Sequence, residues 1–320
     1  MFFELINFWL KPKWFKHTSV IALSIVLNLI CIINRDIANL NEVKIVNVNG
    51  TNILYNESKN TTNKHVLFIH GLGSSSIVWR DIPDALAEHF HTIAVDLIGF
   101  GGSDKPETAD YTIKGLSKFI MDFLREGIKI KKHEKINIVG HSLGGYIAAE
   151  FAIDNKNLIE KIVLIDSSGM LQKPTPLLVQ YLDAAMEKDS ILRYKKVQRV
   201  FEDLLADRSR LLPVVVDIFI GTIEKSGAKY AFESAFHNST TAQIGSDRLK
   251  QIEDIPCLII WGEKDKLIPP DYAKEFQKVF RNVKVEIIRD AGHSPFAEKT
   301  ALVYEMLRSF LMNESKSSYM

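Results

Sequence analysis

The chain has 320 residues, 46% of them hydrophobic and 25% charged, enough for one substantial α/β domain with an insertion or for two small domains. Its 40 Lys and Arg against 39 Asp and Glu leave a net charge of +1, so neither a nucleic-acid partner nor a general pull on anionic substrates is expected. Two cysteines, Cys31 and Cys257, exclude a cysteine-rich scaffold.

Residues 1–36 read as a membrane anchor or signal segment. Thr18 to Ile33 is almost continuously apolar, preceded by Lys11, Lys13 and Lys16 and followed by Arg35. A helix over that run covers about 24 Å, slightly short of a roughly 30 Å hydrocarbon core, and flanking Lys16 and Arg35 can snorkel. The expectation is a single-pass segment whose preceding lysines place the N-terminus in the cytoplasm and the large domain on the other side. Cleavage would instead give a secreted protein, and a monotopic or buried helix is the third reading.

Glu42–Val48 and Thr51–Tyr55 alternate as two strands about Asn49-Gly50, a strong hairpin signal. His65–Ile69 is a short apolar strand ending in His70-Gly71-Leu72-Gly73, and a helix is expected over Ile77 to His89. His91–Val95 is the next strand, followed by the glycine-dense loop Asp96 to Asp104 and a helix from Thr112 to Arg125. The strand Lys135–Val139 then runs into Gly140-His141-Ser142-Leu143-Gly144-Gly145 and a helix from Tyr146. Lys161–Asp166 is a further strand. Short, nearly all-apolar strands alternating with helices predict a mostly parallel, doubly wound sheet covered on both faces.

From Met170 to Gln251 the alternation stops. Leu177–Met186, Ile191–Leu205, Leu212–Ile223, Ala228–Phe236 and Thr240–Ile252 look helical, and because the βα pattern resumes afterwards they read as a cap inserted over the strand ends. Its stretch Leu211 to Ile220 is unusually apolar, suited to line an acyl pocket, to dock on the core or to touch a membrane. Cys257–Trp261 is a core strand ending in Gly262-Glu263-Lys264-Asp265. Val283–Ile288 is the last strand, ending in Ala291-Gly292-His293, and Lys299–Met312 is an amphipathic helix. The divisions are therefore 1–36, core 37–169, cap 170–251, core 252–312 and a tail at 313–320.

Gly140-x-Ser142-x-Gly144 between a strand and a helix is a tight turn with a serine at its apex, and the helix N-terminus behind it favours a developing oxyanion. A serine hydroxyl needs a base, and a histidine held by a carboxylate supplies one. Ser142, Asp265 and His293 follow three different strands in the order such a sheet requires. His70 and His141 are rival bases: His141 is expected to point away from the serine, and His70 to brace the loop beside it. Asp166, Glu263 and Asp290 are rival acids. Backbone N–H groups of Leu143 and Leu72 are the candidate oxyanion donors, with Gly71 and Gly73 keeping the second loop thin. The histidines lack metal-ligand spacing, and no metal or cofactor is expected.

Taken together, His70-Gly71-Leu72-Gly73, Asp96 to Ser103, Gly140 to Gly145, Gly262 to Asp265 and Ala291-Gly292-His293 resemble the α/β-hydrolase superfamily from Glu42 to Leu311. The resemblance implies an acyl-enzyme route. An apolar N-terminal segment before a capped domain is similar to monoacylglycerol-lipase-like members. The expected activity is hydrolysis of an apolar or lipid-like carboxylic ester, with a small-molecule ester or lipid and the membrane as partners. Alternatives are another triad hydrolase (thioesterase, amidase or carbon–carbon hydrolase) and, last, a non-catalytic binding protein on the same fold.

Overall fold

The computed structural model describes residues 41–312, apart from residues 61 and 80. The apolar run Thr18 to Ile33 and the tail 313–320 lie outside the described residues. Among the described residues no helix is long and apolar enough to cross a membrane.

Eight strands form one sheet: β1 (Glu42–Val48), β2 (Thr51–Glu57), β3 (His65–Ile69), β4 (His91–Val95), β5 (Ile136–His141), β6 (Ile159–Ile165), β7 (Cys257–Gly262) and β8 (Val283–Ile288). Their order is β1-β2-β4-β3-β5-β6-β7-β8. The first two pairings are antiparallel and the rest parallel. The β1–β2 hairpin turns on Asn49 (φ 50°) and Gly50 (φ 83°), the two left-handed positions of a two-residue loop.

Alternate residues of the parallel strands enter opposite core layers. Leu67, Ile69, Ile138, Ile162, Leu164 and Ile259 face α2 (Ile113–Asp122), α3 (Leu143–Asp154) and the cap. Val66, Phe68, Val139, Val163, Leu258 and Ile260 face α1 (Ile82–Leu86), α10 (Pro295–Glu298) and α11 (Thr300–Met312). Both faces are covered, which is why these strands read as unbroken apolar runs.

Between β6 and β7 run α4 (Pro176–Met186), α5 (Ser190–Leu204), α6 (Pro213–Ile223), α7 (Ala228–Thr241) and the short α8 (Ser246–Leu249). Thr175 and Asp189 cap α4 and α5, their side chains accepting the amides of Leu178 and Leu192. The last of the helices before β8 is α9 (Asp271–Gln277).

Three helix expectations need correction. The Ile77–His89 helix is instead a 3₁₀ turn at Ser76–Trp79 followed by α1, because Pro83 can open a helix but cannot lie inside one. The helix from Thr112 loosens at Phe123–Ile128 into a wider π turn that stops at Lys129 (φ 65°). Thr240–Ile252 is broken: α7 ends at Thr241, and the Ile244 amide leaves the helix to donate to Gly169 O at 2.8 Å.

Candidate active site

The parallel register brings the strand ends level. Ile69 pairs with Gly140, His141 with Ile165, Ile165 with Ile260, and Gly262 with Ile288. The loops that follow therefore place His70, Ser142, Asp166, Asp265 and His293 along one edge of the sheet.

Ser142 sits between β5 and α3 at φ 53°, ψ −119°, backbone angles that favour glycine. The turn closes because its neighbours have no side chains. A Cβ at Gly140 would lie 2.3 Å from Gly144 O. One at Gly144 would strike β3 instead, 2.2 Å from Ile69 O. Ser168, in the loop after β6, fixes the backbone of Ser142, its amide donating to Ser142 O at 3.0 Å and its hydroxyl to the same oxygen at 3.2 Å. Ser142 is 7% exposed and lines the cavity above it.

His293 Nδ1 donates to Asp265 Oδ2 at 2.7 Å, with both side chains buried. The other Asp265 oxygen, Oδ1, accepts the amides of Leu267 at 2.8 Å and Ile268 at 3.0 Å. The carboxylate is thus fixed by its own loop before it meets the imidazole. Its orientation leaves His293 Nε2 as the ring nitrogen that can take a proton. Ser142 and His293 line the same cavity.

Of the rival bases, His70 has both ring nitrogens engaged in bracing. Nε2 accepts the Leu97 amide at 3.0 Å, which leaves Nδ1 as the donor to Gly71 O at 2.7 Å. His141 directs Nε2 to His293 O at 2.7 Å. Burial lowers both histidines, His141 well below the ordinary imidazole value with the nearby His293 adding to the effect. Of the rival acids, Asp290 pairs with Lys264 at the surface. Asp166 is fully buried beside the Asp265–His293 couple, the three presenting donor atoms within 4.8 Å of one another.

Leu143 opens α3, so its amide is among those at the helix N-terminus. Leu72 lies in the opposite loop and lines the cavity. Gly71 lets that loop approach, since a Cβ there would be 3.1 Å from Ser142 Cβ. The glycine-dense loop lies behind it: Asp96 accepts the Ser76 amide at 2.6 Å and the Gly102 amide at 2.7 Å. Lys105 Nζ donates to Gly101 O at 2.9 Å and Ser103 O at 2.6 Å, its pKa drawn down to about 8 chiefly by burial.

A cavity of about 710 Å³ opens over Ser142, within the roughly 300–1,000 Å³ of small-molecule sites. Its walls include Leu178, Tyr181, Phe201, Leu211, Val215, Ile218 and Phe219 of the cap, with Ile77 and Phe296 from the core. The apolar stretch Leu211 to Ile220 is thus divided: Val216 is buried in packing, Phe219 is buried with an edge on the cavity, and Leu212, Val214, Val215 and Ile218 line the cavity and are partly exposed.

Sequence reasoning missed the contacts that tie this cap to the loops of Leu72 and His293. Tyr181 OH donates to Leu72 O at 3.2 Å. The His293 amide donates to Leu204 O at 2.7 Å. Glu298 accepts the Gly292 amide at 2.6 Å and the Ala206 amide at 2.9 Å. Gly292 is required where these strands of chain meet, because a Cβ there would lie 2.1 Å from Leu204 O.

Residues 64–300 match the family model described as the alpha/beta hydrolase fold. Lipase 3 of Moraxella sp. (strain TA144) is 28% identical over 84% of this chain and 85% of its own length. Monoacylglycerol lipase ABHD6 of Bos taurus is 24% identical over 77% of this chain and 74% of its own. Among solved structures, the 2-hydroxy-6-oxo-6-phenylhexa-2,4-dienoate hydrolase of Rhodococcus sp. strain RHA1 superposes with a TM-score of 0.74 at 21% identity, covering 85% of this chain and 100% of that one.

Proposed function

From the premise that the chain belongs to the α/β-hydrolase family, and is a hydrolase, we propose that it cleaves carboxylic esters of apolar acyl groups by a serine acyl-enzyme route. Ser142 Oγ attacks the acyl carbon as its proton passes to His293 Nε2. Asp265 Oδ2, on the far side of the ring, stabilises the imidazolium. The N–H groups of Leu72 and Leu143 hold the oxyanion. His293 returns the proton to the leaving alcohol, and then takes one from the water that releases the acid.

The observation that carries the ester reading is the hydrocarbon lining of the cavity over Ser142. A dienoate such as the Rhodococcus enzyme's name specifies brings a carboxylate, which needs a cation. Among Lys and Arg, the residue lining this cavity is Arg210, and its Nη1 donates to Glu298 O at 3.2 Å. A neutral acyl chain leaves no buried charge unpaired. The lipases among the relatives support the same reading. Residues 1–36 are proposed as a membrane anchor that holds the domain outside the cytoplasm near lipid-like substrate, a reading supported by the apolar run Thr18 to Ile33 and its flanking lysines.

The test is the hydrolysis rate of full-length protein on esters from acetyl to stearoyl, monoacylglycerol included, against Ser142→Ala. Rates that rise with chain length and vanish in the variant support an apolar-ester hydrolase. If no ester turns over while a fluorophosphonate still labels Ser142, the nucleophile serves another bond, and the ester reading fails.

A further inference from the structure

Asp166 is a buried acid at this edge that the reaction above does not use. It follows β6 with φ 43° and is 0% exposed. Its Oδ1 accepts the Gly262 amide at 2.8 Å. Its Oδ2 is sealed from solvent and receives no donor. A bare carboxylate oxygen in that position would be strongly disfavoured. Beside it stands Asp265, the carboxyl groups of the two and the His293 ring presenting atoms within 4.8 Å of one another.

Two carboxylates that share a dry site cannot both be ionised. The donors decide which one keeps the proton. Asp265 receives three, the amides of Leu267 and Ile268 and Nδ1 of His293, and each favours its anion. Asp166 receives one. The charged groups acting on Asp166 besides Asp265 include Glu298, also negative, while His293 is the neighbouring base.

We propose that Asp166 is a neutral acid whose Oδ2–H donates to the Asp265 carboxylate, making it a positioning residue for the Asp265–His293 couple. The inference rests on the serine-hydrolase reading of this site. Burial, and then the charge of Asp265, push the Asp166 carboxyl well above the usual range, in the direction the geometry requires. The extra donor fixes the rotation of the Asp265 carboxylate. It also tempers how strongly that carboxylate stabilises the imidazolium. Without it, the acid limb of the kcat/KM profile moves to higher pH.

The experiment compares Asp166→Ala, Asp166→Asn and Asp265→Asn in the full chain. Asp166→Ala is expected to lower kcat about tenfold with little change in KM, and to raise the acid limb by about one pH unit. Asp166→Asn, whose amide can donate in the acid's place, is expected to recover most of that loss and to restore the acid limb. The infrared difference between wild type and Asp166→Asn at neutral pH should contain the carbonyl band of a protonated carboxylic acid. Damage by Asp166→Asn equal to that of Asp265→Asn would overturn the proposal, because Asp166 would then act as an anion. Absence of the protonated-acid band would overturn it too. If the alanine variant does not fold, the asparagine variant and the band decide. Failure of wild-type Ser142 to react with fluorophosphonate would sink the serine-hydrolase reading separately, without changing the band.

Discussion

The ring of His141 holds the backbone of His293: Nε2 donates to the His293 carbonyl at 2.7 Å, and the two rings lie 4.8 Å apart. The residue that precedes Ser142 thus fixes the loop of His293 across 152 positions of sequence. Burial keeps this histidine neutral, and with Nε2 committed to that carbonyl it acts as a strut.

That neutrality makes stability depend on pH. His70 and His141 are both lowered in the folded protein, so unfolding below their unfolded value takes up protons. Their contribution is complete above about pH 6.5 and is lost as pH falls below it, by up to about 1.4 kcal/mol per pH unit for each. Urea midpoints measured from pH 8 down to pH 5 should fall, and His141→Gln should flatten the slope.

Asp166 has the opposite linkage. Its folded value is raised, so its contribution is complete below the ordinary carboxylate pKa and is lost as pH rises from about 4 toward the folded value. Asp166→Asn cannot titrate. Its stability relative to wild type should therefore increase with pH over that interval, by about 1.4 kcal/mol per unit, in paired denaturant titrations.

The backbone of Ser142 stores strain that glycine would relieve. Ser142→Gly should raise stability by about 1–3 kcal/mol while abolishing hydrolysis, whereas Ser142→Ala should abolish hydrolysis with little gain. Thermal melts beside ester assays check this, and equal stability of the two variants would contradict it.

Ile218 stands at the cavity lining on α6 and is 43% exposed. A tryptophan there should fill part of the apolar space without disturbing the buried side of the helix. Ile218→Trp is expected to raise KM for long acyl esters about tenfold and to leave acetyl esters nearly unchanged. An equal effect on both would place the acyl chain elsewhere.

The tight turn at Ser142, the parallel strands and the order of the loops at the strand ends were legible in the sequence because each depends on residues close together in the chain. Gly140 and Gly144 show the extent of this. Their spacing announces a tight turn, but only the fold shows that Gly144 is needed against β3 and not against Gly140 alone. Pro83 was a local signal that the expected Ile77–His89 helix overran. Glu298, Tyr181 and the strut role of His141 left no local signal. Their partners lie on other elements, and nothing in a heptad, a cap or a turn specifies them.

The hydrogen bonds at Leu204, Ala206 and Glu298 set a rule for exchanging this cap with that of a relative. Its helices are not an interchangeable lid, because their seam with the core carries the backbone of Gly292 and His293. A transplanted cap would have to bring a carbonyl where Leu204 has one and an amide where Ala206 has one. Within that seam, substitution on the cavity side is free to retune the substrate, so specificity and catalytic competence can diverge at different rates along the same eighty or so residues of inserted chain.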